Sequence, residues 1–450
     1  MKNKFLTLCL AGVLLASCED YLTPQPVDQL SDQIVISDAR GARGALSGLY
    51  REFTSLAAAN VIAGDFMADN LKHNGTFTQF NELDNKTLSS ANGQALATWD
   101  QLYLVVYISN FILEKVPELT DLTTAEREQI ESQARVLRAY AYFVGVNCFG
   151  PLPYTTSSSV ANNRSIARSP VTAVLPQIET DLLSALDKLP ETTSEASYLL
   201  TNGAVKALLA RFYLYQGDFV KAEDFANQVI TGVGTASYAL GSSYEEALEE
   251  EGSESILEVF YDNVDNPSTS ASFGLWNLFT ARREIIPSDE FVSFVQNFGG
   301  DREDVLIEFD ASSVGDRDNG YTLLKYAENG SNILVIRLAE MYLIRAEARA
   351  ERSNLAGALA DLNTLRSNRG FTVNLTISTQ DALLQAIANE RRAEFAFEGH
   401  RWYDLKRTGT ATGVLGSLPN WTTTDLLYPI PQNELLYNPI ITPADQNPGY

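Results

Sequence analysis

Between Leu334 and Arg407 the chain spells out three helices in succession, and this stretch constrains the fold more than any other. In LVIRLAEMYLIRAEARAERSNLAGALADLNTLRSNRG, Leu338, Met341, Tyr342, Ile344 and Ala348 recur at close to helical spacing. Ser353-Asn354 breaks that helix, and Asn354 is placed to cap a second one, Leu355 to Arg366. Its inner face is Leu355, Leu359, Leu362 and Leu365, and Gly370 follows as a C-cap signal. A third helix runs from Gln380 to Phe397 and ends at Gly399. Two antiparallel helices with a short joint form a hairpin whose single apolar stripe demands a neighbour, the unit of helical repeat proteins. Gly203 to Ile230 repeats the pattern around a Gly217-Asp218 turn. Ala210 and Ala222 stand as far apart as Ala346 and Ala358, and small residues there let paired helices approach, as in tetratricopeptide repeats. The two hairpins are 136 residues apart, so the pattern is helical repeats separated by long insertions.

The rest of the chain fits an all-α fold class. Helices are expected from Asp38, a capping residue, to about Ala59, and from Ala95 to Lys115, with Trp99, Leu102, Tyr103, Val106 and Ile108 inward. Another runs from Ala125 to Val146, with Thr124 as cap and Gly150-Pro151 as stop, and a fourth from Pro170 to near Leu189. Two insertions stand out. Lys72 to Asn92 is a polar loop holding Phe77 and Phe80. From Gly232 to Gly330 the helical signal fades into short β-like runs, such as Ile256 to Tyr261, among Gly, Ser, Asn and Asp clusters. Loops of this length in a compact protein are usually functional.

Lys2 and Lys4 precede an apolar run, Phe5 to Leu15, that is too short to span a bilayer. Leu15-Ala16-Ser17-Cys18 then resembles a bacterial lipobox. Residues 1–17 are therefore expected to be a lipoprotein signal peptide, Cys18 the lipidated first residue, and 18–450 a single domain beginning with a tether to Ser37. The formal charge is −24, or −26 without Lys2 and Lys4. That acidic excess argues against nucleic acid and anionic lipid headgroups as partners, since both require a basic footprint. Cys148 is left unpaired among apolar neighbours, which points to a buried thiol and no intramolecular disulfide.

No chemistry-bearing motif rises out of the chain. His73 and His400 are the only histidines and have no metal-ligand spacing. Nucleophile-elbow, P-loop and dinucleotide fingerprints are absent, and no catalytic residue, metal or cofactor is assigned. Glu245-Glu246 and Glu249-Glu250-Glu251 read as a solvated face, and Asp316 to Gly320 as a turn lacking the EF-hand register. The 57 acidic residues leave room for a glycosidase pair, but nothing singles one out. Binding a sugar without cleaving it requires exposed aromatic faces with polar companions. Trp99, Trp402 and Tyr403 lie on helix faces and read as core, while Trp421 falls in a late loop and is left open. The ligand-binding candidates are Phe77, Trp276 and Tyr321, with Asp69, Asn70 and Arg283 as polar companions. Arg337, heading a helix, is assigned to capping or an internal ion pair.

RLAEMYLIRAEA, ALADLNTLRSNRG and ERRAEFAFEGHRWYDLKRTG, followed by YPIPQNELLYNP and the closing QNPGY, resemble the C-terminal part of the SusD/RagB family. Gly150-Pro151-Leu152-Pro153-Tyr154 is similar to a further family segment, and Glu19-Asp20 to acidic surface-export signals. The resemblance implies a SusD-like fold and a surface-exposed lipoprotein, lipid-anchored to the cell outer membrane. It would capture an oligosaccharide and deliver it to a SusC-type TonB-dependent transporter, with no bond made or broken. Because the family's ligand face is built from variable loops, the resemblance assigns no binding residue. Two alternatives stay open: a peptide-binding member or helical-repeat adaptor, and an α-helical glycoside hydrolase.

Overall fold

The computed structural model describes residues 36–191, 198–232, 238–260, 274–328 and 330–450. Cys18, the signal segment and all but the last residues of the tether lie outside them. The first helix, α1 (Ala39–Phe66), starts where the Asp38 carboxylate accepts from the Gly41 N–H at 2.7 Å. It continues seven residues past the expected end at Ala59. The added turns, Asn60 to Phe66, are mostly buried, so packing rather than propensity carries them. A short strand β1 (Leu71–His73) and a helix α2 (Thr78–Asp84) occupy the stretch expected to be loop. Then come α3 (Gly93–Lys115), capped by Asn92, and α4 (Thr124–Phe149), capped by Thr123 rather than Thr124. Gly150, at φ +70°, stops α4 as anticipated.

Next are α5 (Val171–Ala185) and the hairpin of α6 (Asn202–Gln216) and α7 (Phe219–Thr231), whose turn places Gly217 in the left-handed region. The second insertion contributes β2 (Ser255–Val259), β3 (Ile285–Pro287), α8 (Asp289–Phe298), β4 (Ile307–Phe309) and β5 (Tyr321–Leu323). Strand β6 (Ile333–Arg337) leads directly into α9 (Leu338–Glu351), followed by α10 (Leu355–Ser367), α11 (Gln380–Glu394) and α12 (Arg401–Arg407). Between α9 and α10 the chain turns through Ser353 at φ +63°, and the Asn354 side chain accepts from Gly357 N–H at 3.1 Å. Helix α11 stops at Glu394, short of Phe397. Phe397 (φ +67°) and Gly399 (φ +80°) then swing the chain back towards α1.

The helices stack in a row, α1–α3–α4–α5–α6–α7–α9–α10, with α11 also against α9. Helix α7 packs on α9, so the two hairpins, distant in sequence, are neighbours in space. Ala210, Ala222, Ala346 and Ala358 are all fully buried, as close helix pairing requires. Helix α9 is enclosed over most of its length, and its charged residues Glu340, Arg345 and Glu347 are therefore internal. Glu340 meets Arg211 at 2.5 Å, Arg345 meets Asp361 at 2.7 Å, and Glu347 meets Arg407 at 2.5 Å. The strands among the described residues form only two-stranded antiparallel ladders: β1–β3, β2–β6, β4–β5, and Leu152–Pro153 with Arg168–Ser169.

A buried charge cluster ties the second insertion to the C-terminal repeats. Arg302, Lys325, Arg337 and Arg369 match Glu254, Glu390, Glu394 and Glu398, all with nearly inaccessible side chains. Glu394 is the hub, reached by Arg302 at 2.7 Å, Arg337 at 2.9 Å and Arg369 at 3.0 Å. Burial alone would raise its pKa, but the guanidiniums of Arg369, Arg302 and Arg337 hold it well below the usual carboxylate range. Arg337 has the internal ion pairs expected of it.

Candidate functional site: a corner built by two insertions

Strand β1 pairs with β3 in the register Leu71↔Pro287, Lys72↔Ile286 and His73↔Ile285, which brings both insertions to one corner. The turn after β1 hangs on Glu284. Its carbonyl accepts from the Asn74 and Gly75 N–H groups at 2.9 and 3.1 Å. Its buried carboxylate lies 3.1 Å from His73 Nε2 and accepts from the Phe77 N–H. A Cβ on Gly75 would lie 2.0 Å from the Glu284 carboxylate, which would have to move to admit one. The half-buried Phe77 ring is covered by the Arg282 guanidinium, 4.5 Å from its centroid.

Besides Phe77, three more of the sequence candidates gather here. Arg283, at φ +49°, pairs with Asp318 at 2.6 Å and donates to the Tyr321 carbonyl at 3.1 Å. Tyr321 stacks 5.0 Å from Phe309, and its hydroxyl accepts from Gln296 at 3.0 Å. Trp276 sits half-buried on the turn that opens the 274–281 segment. Among the described residues it belongs neither to the core nor to a ring pair. Trp99, Trp402 and Tyr403 are core, and Trp421 is half-buried against the core.

Asp69 and Asn70 do not present themselves to a ligand. Asp69 binds Arg401 at 2.7 Å and Arg392 at 2.9 Å, and those cations overcome its burial to lower its pKa. Asn70 is fully buried; it donates to Asp65 at 3.1 Å and accepts from Arg392 at 3.0 Å. Both residues join the end of α1 to the α11–α12 region, and the polarity read as ligand contact is consumed inside the scaffold.

Beside the corner lies a cleft of about 480 Å³ between α1, α2, α3 and residues 274–278. Ile62, Phe80, Leu275 and Leu278 supply its apolar walls, and Gln79, Gln94 and Gln101 its polar groups. Among the described residues no charged side chain lines it. This cleft was not found from sequence. The available signal was Gln94 and Gln101, seven residues apart and so on one face of α3.

Two other spaces fit a ligand less well. A cleft of about 440 Å³ is rimmed by Glu245, Glu249, Glu250 and Glu328, and its one ring, Tyr326, is buried. An interior cavity among Asn60, Tyr140, Arg211 and His400 has about 20 Å³, room for a single water. Among the described residues no group of three or more His, Cys, Asp or Glu side chains converges as a metal site.

Residues 43–214 match a family described as starch-binding associating with outer membrane, and residues 318–420 match the SusD family. The chain belongs to the SusD/RagB family. It is 26% identical over 513 residues to SusD-like protein P2 of Formosa agariphila, covering 100% of both chains. A SusD-like protein of Bacteroides ovatus is 22% identical, with 90% of this chain and 82% of that one covered. Among solved structures, a laminarin binding SusD-like protein superposes with a TM-score of 0.80 at 26% identity. That match covers 92% of this chain and 100% of the other. A SusD superfamily protein from Bacteroides thetaiotaomicron also gives a TM-score of 0.80, at 24% identity, covering 91% and 100%. The hairpins expected from sequence are thus the SusD-like scaffold.

Proposed function

We propose that this protein is a surface lipoprotein that binds an oligosaccharide without cleaving it and passes it to a SusC-type TonB-dependent outer-membrane transporter. One observation carries the reading. A cleft with apolar walls and amide groups lies among α1, α2, α3 and residues 274–278 of a SusD-like scaffold, and the half-buried Trp276 stands in the same 274–278 segment. Apolar walls suit the C–H faces of sugar rings, and side-chain amides suit their hydroxyls. The family's description as starch-binding and outer-membrane associated, and the laminarin-binding neighbour, support the same reading. Residues 18–450 would form one domain held to the membrane through lipid on Cys18.

Affinity screening on a glycan array, with product analysis of every bound glycan, tests the binding claim. Binding with unchanged glycans is the expected result. Turnover abolished by one carboxylate substitution would establish a hydrolase instead, and peptide binding without glycan binding would establish the peptide-importing alternative. Cys18→Ala should move the protein out of the membrane fraction, and co-purification with a SusC-type barrel tests the transporter partnership.

A further inference from the structure

If the cleft takes a sugar, as the proposed function requires, its lining also decides which kind. Its polar groups are three neutral amides, Gln79, Gln94 and Gln101. Among the described residues no hydrogen bond within the protein engages any of those three side-chain amides. The Gln101 Oε1 atom is buried and accepts from no group among the described residues, so a turn of its amide towards the cleft breaks no hydrogen bond there. A buried polar atom without a partner costs free energy, so a ligand hydroxyl reaching it is favoured over an apolar group. Each amide both donates and accepts, which matches hydroxyls that do the same.

The walls decide the ligand's charge. Ile62, Phe80 and Leu278 are buried and apolar, and among the described residues neither a cation nor an anion lines the cleft. A carboxylate or sulfate entering it sheds water and gains no counter-charge, a costly exchange. Arg282, in the adjoining turn, is not among the lining residues; it lies over the Phe77 ring and 3.9 Å from the Glu284 carboxylate. The chain's net charge of −24 adds a long-range field against anions. We infer that the cleft between α1, α2 and α3 selects uncharged saccharide units and rejects uronic-acid and sulfated ones, with Gln101 accepting a hydroxyl proton.

The test uses the full-length protein in detergent on an array of neutral, uronic-acid-containing and sulfated oligosaccharides. Titration calorimetry then compares the tightest neutral probe with its C6-carboxylated counterpart. The expected result is at least tenfold weaker binding of the carboxylated probe at both low and high salt. Gln101→Leu should weaken the neutral probe roughly fivefold to tenfold at unchanged melting temperature. Gln101→Lys should narrow or reverse the preference by placing a cation in the cleft. Equal or tighter binding of the carboxylated probe to the unaltered protein overturns the inference while leaving saccharide binding intact. Unchanged affinity and charge preference in both Gln101 variants would move the site away from this cleft and overturn it as well. An array on which no glycan of any class binds removes the saccharide reading itself.

Discussion

Replacing Glu394 by Gln tests whether the charge cluster holds the second insertion onto the repeats. Every hydrogen bond made by the two Glu394 side-chain oxygens comes from a guanidinium: Arg337 at 2.9 Å, Arg369 at 3.0 to 3.2 Å, and Arg302 at 2.7 and 3.1 Å. A glutamine puts an N–H₂ group against donors on one side and leaves the three cations with a charge unbalanced in a fully buried site. Breaking a buried pair from one side costs about 3–5 kcal/mol. With an unfolding entropy of about 2.1 cal/mol/K per residue over roughly 430 residues, that corresponds to a fall in Tm of about 3–6 °C. The pH dependence has a definite sign. Glu394 has a depressed pKa in the folded state, so its contribution is complete above the unfolded value of about 4.3 and is lost as pH falls below it. Melting curves by circular dichroism from pH 3.5 to 8 should show a constant gap between the two proteins above pH ~6 and a narrowing gap below pH ~4. An unchanged Tm at neutral pH, or a gap that widens in acid, would refute the reasoning.

Three further outcomes concern other parts of the molecule. Trp276→Ala should weaken saccharide binding about tenfold at nearly constant Tm, whereas Trp402→Ala, fully buried between Tyr403 and Tyr428, should cost about 3–5 kcal/mol of stability, read by calorimetry. Asp65 is fully buried and its pKa is pushed up to about 7, so the folded state prefers the protonated acid and loses stability as pH rises from about 4 to 7. Asp65→Asn, which cannot ionise, should gain on the unaltered protein between pH 5 and pH 8 in paired melts. Gly64→Ala should impair folding, because its Cβ would lie 2.0 Å from the Gly399 carbonyl oxygen, while Gly44→Ala on the same helix, with nothing within 4 Å, should be neutral or stabilising by up to about 1 kcal/mol.

The scaffold was legible because its signals are local. Asn354, Gly217 and Gly150 mark helix ends through their own side chains or backbone freedom, and the structure uses each as its residue type suggests. Non-local features were hidden. The seven extra residues of α1 are helical because Gly64 and Asp65 meet the turn at Gly399, more than three hundred positions away. The charges of RLAEMYLIRAEA look like a solvated face, but α9 is enclosed by partners from other hairpins and pairs them internally. Asp69 and Asn70 failed as ligand candidates for the same reason: exposure belongs to the packed structure, and their arginine partners lie beyond residue 390.

The arrangement also explains why the ligand corner escapes the motifs that mark the family. On one flank the second insertion is anchored by Glu254, Arg302 and Lys325, which meet Arg337, Arg369, Glu390, Glu394 and Glu398 of the C-terminal repeats. On the other flank it meets the first insertion through three residues of β1, the Glu284 contacts and the Phe77–Arg282 stack. The anchoring residues are charged and fully buried, so a change in any one leaves an unpaired ion and is strongly destabilising. The groups that line the cleft, Gln79, Gln94 and Gln101, have no side-chain hydrogen bond to lose among the described residues. Substitution there alters what the cleft accepts at little cost to folding. Residues of the first kind are tied to the fold and spell out the recognisable stretches around Arg337, Arg369 and Glu394. Residues of the second kind are free to follow the ligand and leave no motif.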